Sequence, residues 1–220
     1  MKNPDILKEI PLFSCLEDDQ LLELSEIMVE TTYREDTIII QKGDTSRSLY
    51  VVLSGFAIAT DRDEDGKLIF LNEFEQGDYF GEMSFIDGKP RCANVETEEE
   101  TRLIMLPGDK FRKIIFSNPD MMLNMMKGLL EKLRKATEQI YMLAFLDVYG
   151  RIRHLLTEIS EPYQGKTRII RGRPRHHEIA TMVNSSREMV TRIVREISDG
   201  GYITVCKDCI LINKEFPESL

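Results

Sequence analysis

Seven positions constrain the folding of this chain more than any others: Met122, Met126, Leu129, Leu133, Ala136, Ile140 and Leu143. They succeed one another at spacings of four, three, four, three, four and three, the a/d heptad of a helix that buries an apolar seam against a second helix. The run Asp120 to Asp147 is therefore expected to form one long helix, and the seam predicts a parallel homodimer. Lys127, Glu131, Lys132, Arg134, Lys135 and Glu138 fall between the seam positions and give the helix a wet side. A single amphipathic helix packed on its own domain satisfies the same pattern. Three heptads make a short zipper, and its methionines and Gly128 soften it further.

The segments on either side of this helix differ in charge. The 220 residues are enough for two modest domains, each with a core of its own. The net charge of -9 divides unevenly: the first 150 residues hold 17 Lys/Arg against 29 Asp/Glu, whereas residues 151–220 hold 12 against 9. An acidic N-terminal part with a locally basic tail is compatible with nucleic-acid binding by the tail alone, since counterion release depends on the charges that face phosphate. No run approaches the ~18 apolar residues of a membrane helix, and Met1 to Asp5 lacks the layout of a signal peptide, so a cytoplasmic protein without a membrane partner is expected. Cys15, Cys92, Cys206 and Cys209 are not spaced as a disulfide framework.

Before the long helix, Leu16, Leu21, Leu22, Leu24, Ile27 and Met28 predict one or two short helices, with Ser14 as a candidate cap. From Tyr33 the pattern changes to short apolar runs, and strands are expected at 37–41, 49–53, 56–60, 68–71 and 102–106. Gly43, Gly55, Gly66, Gly77 and Gly88 lie 12, 11, 11 and 11 residues apart, the turn spacing of an antiparallel roll or sandwich. The acidic run Asp61 to Gly66 fits the first half of a calcium loop, but Asn72 stands where a bidentate Glu is required, so a hairpin turn is the expectation.

The stretch Gly77 to Val95 has a different character. Backbone N–H groups after Gly81, where no Cβ blocks approach, can form an anion nest, and Arg91 can offer a forked charge to phosphate. Glu82 beside that nest suits a ligand that also carries hydroxyl donors. On these two charges alone, a surface loop in which Glu82 and Arg91 pair with each other is the better account of the pattern.

Phe80-Gly81-Glu82-Met83 with Pro90-Arg91-Cys92-Ala93 resembles the phosphate-binding cassette of cyclic-nucleotide-binding domains. Leu143 to Ile152 resembles the junction of the catabolite-activator (CRP/FNR) family of bacterial transcription regulators, and the likeness covers nearly the whole chain. The resemblance implies an α+β protein with three parts. These are an N-terminal antiparallel β-roll binding a cyclic nucleotide (1–119), a long dimerisation helix (120–146) and a C-terminal winged helix-turn-helix (147–220). It implies that Glu82 takes a ribose hydroxyl, while Arg91 and neighbouring amides take the cyclic phosphate. Gly81, Glu82, Met83, Arg91, Cys92 and Thr137 are then the candidate ligand contacts. In cAMP-responsive members an adjacent Thr and Ser reach the adenine; those positions fall here on Ala136 and Thr137, so base identity stays open. Cys92 replaces the usual Ser, Ala or Thr after the Arg.

Beyond Asp147 a further helix is expected to about Ser160, with Ile152, Leu155, Leu156 and Ile159 on one face. Arg168 to Arg175, broken by Gly172 and Pro174, reads as a basic loop or a solvated linker. His177 to Val183, a turn at Asn184, and a second helix from Ser185 have helix-turn-helix spacing. Ile179, Val183, Met189, Val190, Ile193 and Ile197 supply the small core and leave Arg187, Glu188 and Arg192 outside. Arg at such a position suits guanine and Glu suits cytosine, and the resembled family uses these residues so. Ser185-x-x-Glu188 is also a capping box, a rival use for Glu188. Arg175, His176, Ser186, Arg187, Glu188 and Arg192 are the candidate DNA contacts. Tyr202 to Val205 and Ile210 to Ile212 read as a wing hairpin, and its Cys206-x-x-Cys209 offers only half the ligands of a structural zinc, so no metal is expected.

The favoured reading is a dimeric, ligand-gated regulator of double-stranded DNA. Its effector is expected to be cAMP or cGMP and its operator a palindrome with half-sites ~34 Å apart, a TGTGA-like half-site being the first to try, and RNA polymerase is a candidate partner. The alternatives are the same fold with another effector, such as a cyclic dinucleotide, or with none, and a nucleotide-binding module that regulates a protein. No P-loop, Gly-x-Gly-x-x-Gly, His-Glu-x-x-His or Ser elbow is present, so an enzyme is not expected.

Overall fold

The computed structural model describes residues 5–64, 66, 68–165 and 167–219; Met1 to Pro4 and Asp65 of the acidic turn lie outside them. The chain separates into two units, residues 1–67 with 71–136 and residues 68–70 with 137–220.

The first unit opens with α1 (Asp5–Lys8), a 3-10 turn at Pro11–Phe13 and α2 (Asp18–Ile27). Glu17, not Ser14, starts α2: its N–H donates to Gln20 Oε1 at 3.0 Å. Ser14 has helical backbone angles at the end of the 3-10 turn, where its hydroxyl donates to Pro11 O at 2.9 Å. An N-cap needs an extended backbone, so Ser14 cannot serve as one.

Eight strands come next: β1 (Val29–Tyr33), β2 (Ile38–Ile40), β3 (Leu49–Ser54), β4 (Ala57–Arg62), β5 (Leu68–Phe74), β6 (Tyr79–Phe80), β7 (Asn94–Thr97) and β8 (Thr101–Leu106). They form two four-stranded sheets, β1-β8-β3-β6 and β2-β7-β4-β5. β8 pairs antiparallel with β1 and β3, and β7 with β2 and β4. The five spaced glycines all have positive φ, from 72° to 92°; four lie in turns between short strands, and Gly88 ends the helix after β6. β3 is largely apolar, with Leu49 and Val51 to Leu53 buried, because both its faces are covered. Leu49, Val51 and Leu53 join Phe13, Phe111 and Met121 in one core cluster, while Val52 joins Phe74, Phe80 and Leu103 in another. β1 gives little sequence signal because, at the sheet edge, most of its side chains are exposed. In the acidic turn, Asp61 pairs with Lys42 at 2.5 Å and Gly66 N donates to Asp63 O at 3.0 Å, so the run joins neighbouring strands.

Two short helices escape the strand pattern: α3 (Glu82–Asp87), and α4 (Gly108–Phe116), which buries Phe111, Ile114 and Ile115. The long helix, α5, runs from Pro119 to Phe145, about 40 Å at 1.5 Å per residue. Met121 and Met125 are buried against the sensor core, each contributing roughly 1.5–3 kcal/mol. Of the expected seam, Met122 and Leu129 pack on that same core, whereas Met126, Leu133 and Ile140 point outward, 49%, 62% and 67% exposed. Leu123 and Leu130 accompany them, so the outward apolar stripe is rotated by about one residue from the heptad reading.

In the second unit, α6 (Val148–Glu158) is capped by Asp147, whose Oδ1 accepts from Gly150 N at 2.7 Å. β9 (Glu161–Pro162), β10 (Arg168–Arg171), α7 (His176–Met182), α8 (Arg187–Asp199), β11 (Ile203–Val205) and β12 (Cys209–Ile212) complete it, with sheet order β11-β12-β10-β9. The expected basic loop from Arg168 is a strand as far as Arg171, because Ile169 and Ile170 are buried and pair with Leu211 and Ile210. Ile152, Leu156, Ile179, Val190, Ile193 and Ile197 meet in the core of this unit.

Candidate ligand cradle and nucleic-acid interface

In the first unit the cradle forms where β6 ends and α3 begins. Gly81 has φ +83°, and an added Cβ would lie 2.5 Å from Arg91 Nη1 and 2.9 Å from Ser48 O, so only glycine fits. The first N–H groups of α3 have no partner within the helix itself. Arg91, 3% exposed, donates from Nη1 to Gly81 O at 2.8 Å, from Nη2 to Ser48 O at 2.7 Å and from Nε to Ser46 Oγ at 3.2 Å. A guanidinium carries five N–H donors, so these three bonds leave two, one on each terminal nitrogen. Burial lowers the Arg91 pKa, and Tyr50, Glu82 and Asp44 oppose that shift. The group remains cationic.

Glu82 is also buried, but it does not pair with Arg91. Lys132 of α5 donates to Glu82 Oε1 at 3.0 Å and to Tyr79 O at 2.7 Å, with its ammonium 4.3 Å from the Tyr79 ring centroid. The alternative in which the two cassette charges pair with each other is therefore not what forms, and Lys132 does not belong to the wet side of the helix. The signal that would have found it is its position: Met121, Met125, Gly128 and Lys132 are spaced four, three and four apart, one stripe facing the roll.

Gly128 has a structural use that its softening of the seam did not suggest. A Cβ there would lie 2.3 Å from Tyr79 Oη, which donates to Met125 O at 2.9 Å. Burial, and then the charge of Glu82, push the Tyr79 phenol up, so it stays protonated and remains a donor. Met83 and Cys92 are exposed, with Cys92 Sγ 3.5 Å from Met83 Sδ. Ala136 and Thr137 are exposed on α5.

In the second unit Asn184 has φ +50°, the left-handed turn residue that the spacing predicts. Ser186, not Ser185, caps α8 by accepting from Met189 N at 3.2 Å. The Ser185-Glu188 capping box is therefore absent, because Glu188 is the second residue of the helix and not the third. Glu188, Arg187 and Arg192 are exposed, the last with Nη2 2.8 Å from Met189 Sδ. Arg175 is exposed at the start of α7, where its N–H donates to Glu178. His176 Nδ1 lies 2.8 Å from Thr191 Oγ1, tying α7 to α8. Burial, then the nearby Arg173 and Arg187, lowers the His176 pKa.

One positioning residue was not anticipated. Arg151 Nη1 donates to Val183 O at 2.6 Å and Asn184 O at 3.3 Å, holding the carbonyls that end α7. Its buried Nε has no hydrogen-bond partner among the described residues, and burial lowers its pKa. Arg173, Arg175, His176, Arg187 and Lys207 line a cleft of about 550 Å³ beside the wing. Among the described residues no group of three or more His, Cys, Asp or Glu is placed to hold a metal, and no helix is long and apolar enough to cross a membrane.

Residues 30–118 match the cyclic nucleotide-binding domain family, and residues 150–215 match the Crp-like helix-turn-helix domain family. The cAMP-activated global transcriptional regulator CRP of Pasteurella multocida is 31% identical over 183 residues, 82% of this chain and 88% of that protein. Among solved structures, the catabolite activator protein of Thermus thermophilus is 26% identical with a TM-score of 0.53, covering 92% of this chain and 93% of that one. The c-di-GMP responsive global regulator CLP of Xanthomonas campestris, 21% identical with a TM-score of 0.75, covers 90% of this chain and 100% of that one and shares the fold. Identity at the level of the Pasteurella protein, over most of both chains, makes this protein a member of the CRP/FNR family of transcription regulators, with a cyclic nucleotide-binding domain and a Crp-like helix-turn-helix.

Proposed function

We propose that the protein is a homodimeric, operator-binding regulator whose affinity for DNA is set by a cyclic nucleotide held at Gly81, Glu82 and Arg91. The observation that carries this reading is the cradle. A buried guanidinium with two donors left over stands beside the first amides of α3, a combination that suits a phosphate, and the buried Glu82 carboxylate at the start of that helix suits a sugar hydroxyl. The outward stripe of Met126, Leu133 and Ile140 supports pairing with a second copy through α5. Exposed Arg187, Glu188 and Arg192 at the start of α8 support reading of base edges in a major groove.

Base identity rests on the pocket beyond the cassette, where Ala136 has no side-chain hydrogen bond to offer. Calorimetry with cAMP, cGMP and a cyclic dinucleotide on wild type and Arg91→Ala tests the effector, and an unchanged heat in the variant removes Arg91 from the site. Sedimentation of Leu133→Glu tests the dimer, and a variant that sediments as wild type rules out this seam. Gel shifts on a TGTGA-like palindrome with and without each nucleotide test the gating. DNA affinity indifferent to every nucleotide overturns it.

A further inference from the structure

A nucleotide-gated regulator makes no use of Cys206 and Cys209, which close the tip of the wing. β11 and β12 pair in register with Val205 opposite Ile210, so the two cysteines are the next facing pair around the two-residue turn Lys207-Asp208. Cys206 N donates to Cys209 O at 2.9 Å, which closes the hairpin at this facing pair. Facing side chains in such a pair leave the sheet on the same side, with Cα atoms about 5.5 Å apart. That separation lies inside the ~4.4–6.8 Å that a disulfide spans. Both thiols are free and half-buried, within reach of a small oxidant. The tip is braced from the neighbouring strand, where Arg171 is the register partner of Cys209 and Gly172 N donates to Asp208 O at 3.2 Å. Two thiols with no third ligand among the described residues do not make a structural zinc site.

We propose that Cys206 and Cys209 are a site of reversible oxidation, closed to an intrachain disulfide by a hydroperoxide and reopened by a dithiol. The Cys206 thiolate attacks one peroxide oxygen, the O–O bond breaks, and Cys206 becomes a sulfenic acid as hydroxide leaves. The Cys209 sulfur then attacks Cys206; the S–O bond breaks, the S–S bond forms, and the departing oxygen leaves as water with the Cys209 proton. Two thiols lose two electrons and two protons, and hydrogen peroxide is reduced to two waters. The hydrogen bond to Cys206, and then burial, push the Cys209 thiol up, which suits the partner that keeps its proton until the second step.

The bridge would stiffen the tip that carries Lys207, one wall of the basic cleft shared with Arg173 and Arg187. A pre-ordered cation binds phosphate with less entropy lost, so the oxidised wing is expected to hold duplex DNA about threefold tighter at low salt. This consequence rests on the DNA-binding reading, whereas the bridge itself does not. The full chain is treated with hydrogen peroxide or with dithiothreitol, mapped by non-reducing peptide mass spectrometry, and titrated into a generic duplex by fluorescence anisotropy. The expected result is a 206–209 bridge lacking two hydrogens, tighter duplex binding that dithiothreitol reverses, and neither effect in Cys206→Ser. Free thiols at both positions after peroxide, or linkage of either to Cys15, Cys92 or another chain, overturns the proposal. Equal duplex affinity in the two forms overturns the action on the wing. Failure of both forms to bind duplex counts against the DNA reading and leaves a mapped bridge standing.

Discussion

Replacing Lys132 by Met should destabilise the sensor unit far more than the loss of a surface charge would. Its ammonium lies 3.0 Å from Glu82, with side-chain exposures of 24% and 7%. At an effective dielectric of about 20, the attraction at that distance is about 5 kcal/mol before desolvation. Much of it is offset by taking both ions out of water, so the pair adds little net stability, but removing one partner strands a buried carboxylate at a cost of about 3 kcal/mol. Loss of the hydrogen bond to Tyr79 O and of the cation over the Tyr79 ring adds about 1 kcal/mol. The double variant Lys132→Met/Glu82→Gln removes the stranded charge and should recover about 2 kcal/mol.

A chain of two units need not unfold in one step, so local stability is best read by native-state hydrogen exchange at the Leu49–Ser54 strand. A stranded carboxylate is refuted if Lys132→Met costs less than about 1 kcal/mol, the value of an exposed pair. A double variant no more stable than the single refutes it equally.

Gly128→Ala should lower the melting temperature of the sensor unit, because its methyl would collide with Tyr79 Oη, and adding Tyr79→Phe should restore part of the loss; calorimetry of the three variants checks this. Ser186→Ala removes the cap of α8 and should cost about 1 kcal/mol by urea unfolding. The His176 pKa is lowered on folding, so its neutral form is favoured, and its contribution is present above about pH 6.5 and is lost as pH falls through the folded-state value. His176→Gln should therefore flatten the acid-side fall in melting temperature, and a variant that tracks wild type from pH 7.5 to 5.5 contradicts this. Arg187→Ala or Arg192→Ala should cost about 1–3 kcal/mol on a matched operator and relax preference at one base pair, whereas a uniform loss across sequences in a binding-site selection would mark phosphate contacts instead.

The residues that sequence reading placed well are those whose constraint is local. Positive φ at the spaced glycines and at Asn184 follows from which residues tolerate left-handed backbone, and the length of α5 follows from its own periodicity. Gly81, Glu82 and Arg91 lie within eleven residues of one another, so the motif is legible in one short stretch of chain, α3 and the loop after it. Caps were less readable, because a residue that caps a helix and one that closes a turn differ only in backbone angle. Ser14 closes a turn, while Glu17 begins α2 and Ser186, one residue past the expected Ser185, begins α8.

Sequence alone thus determined where most of the turns fall and where the long helix and the helix-turn-helix run, since these depend on dihedral preference and on neighbours a few residues apart. Tertiary structure decided which face of α5 meets the roll, that Lys132 answers Glu82 from 50 residues away, that Gly128 makes room for Tyr79, and that Arg151 holds the end of α7. An amphipathic pattern says that a face must be buried but not against what. Partner choice is set only when distant segments pack and every buried charge and hydroxyl must find a group to satisfy it.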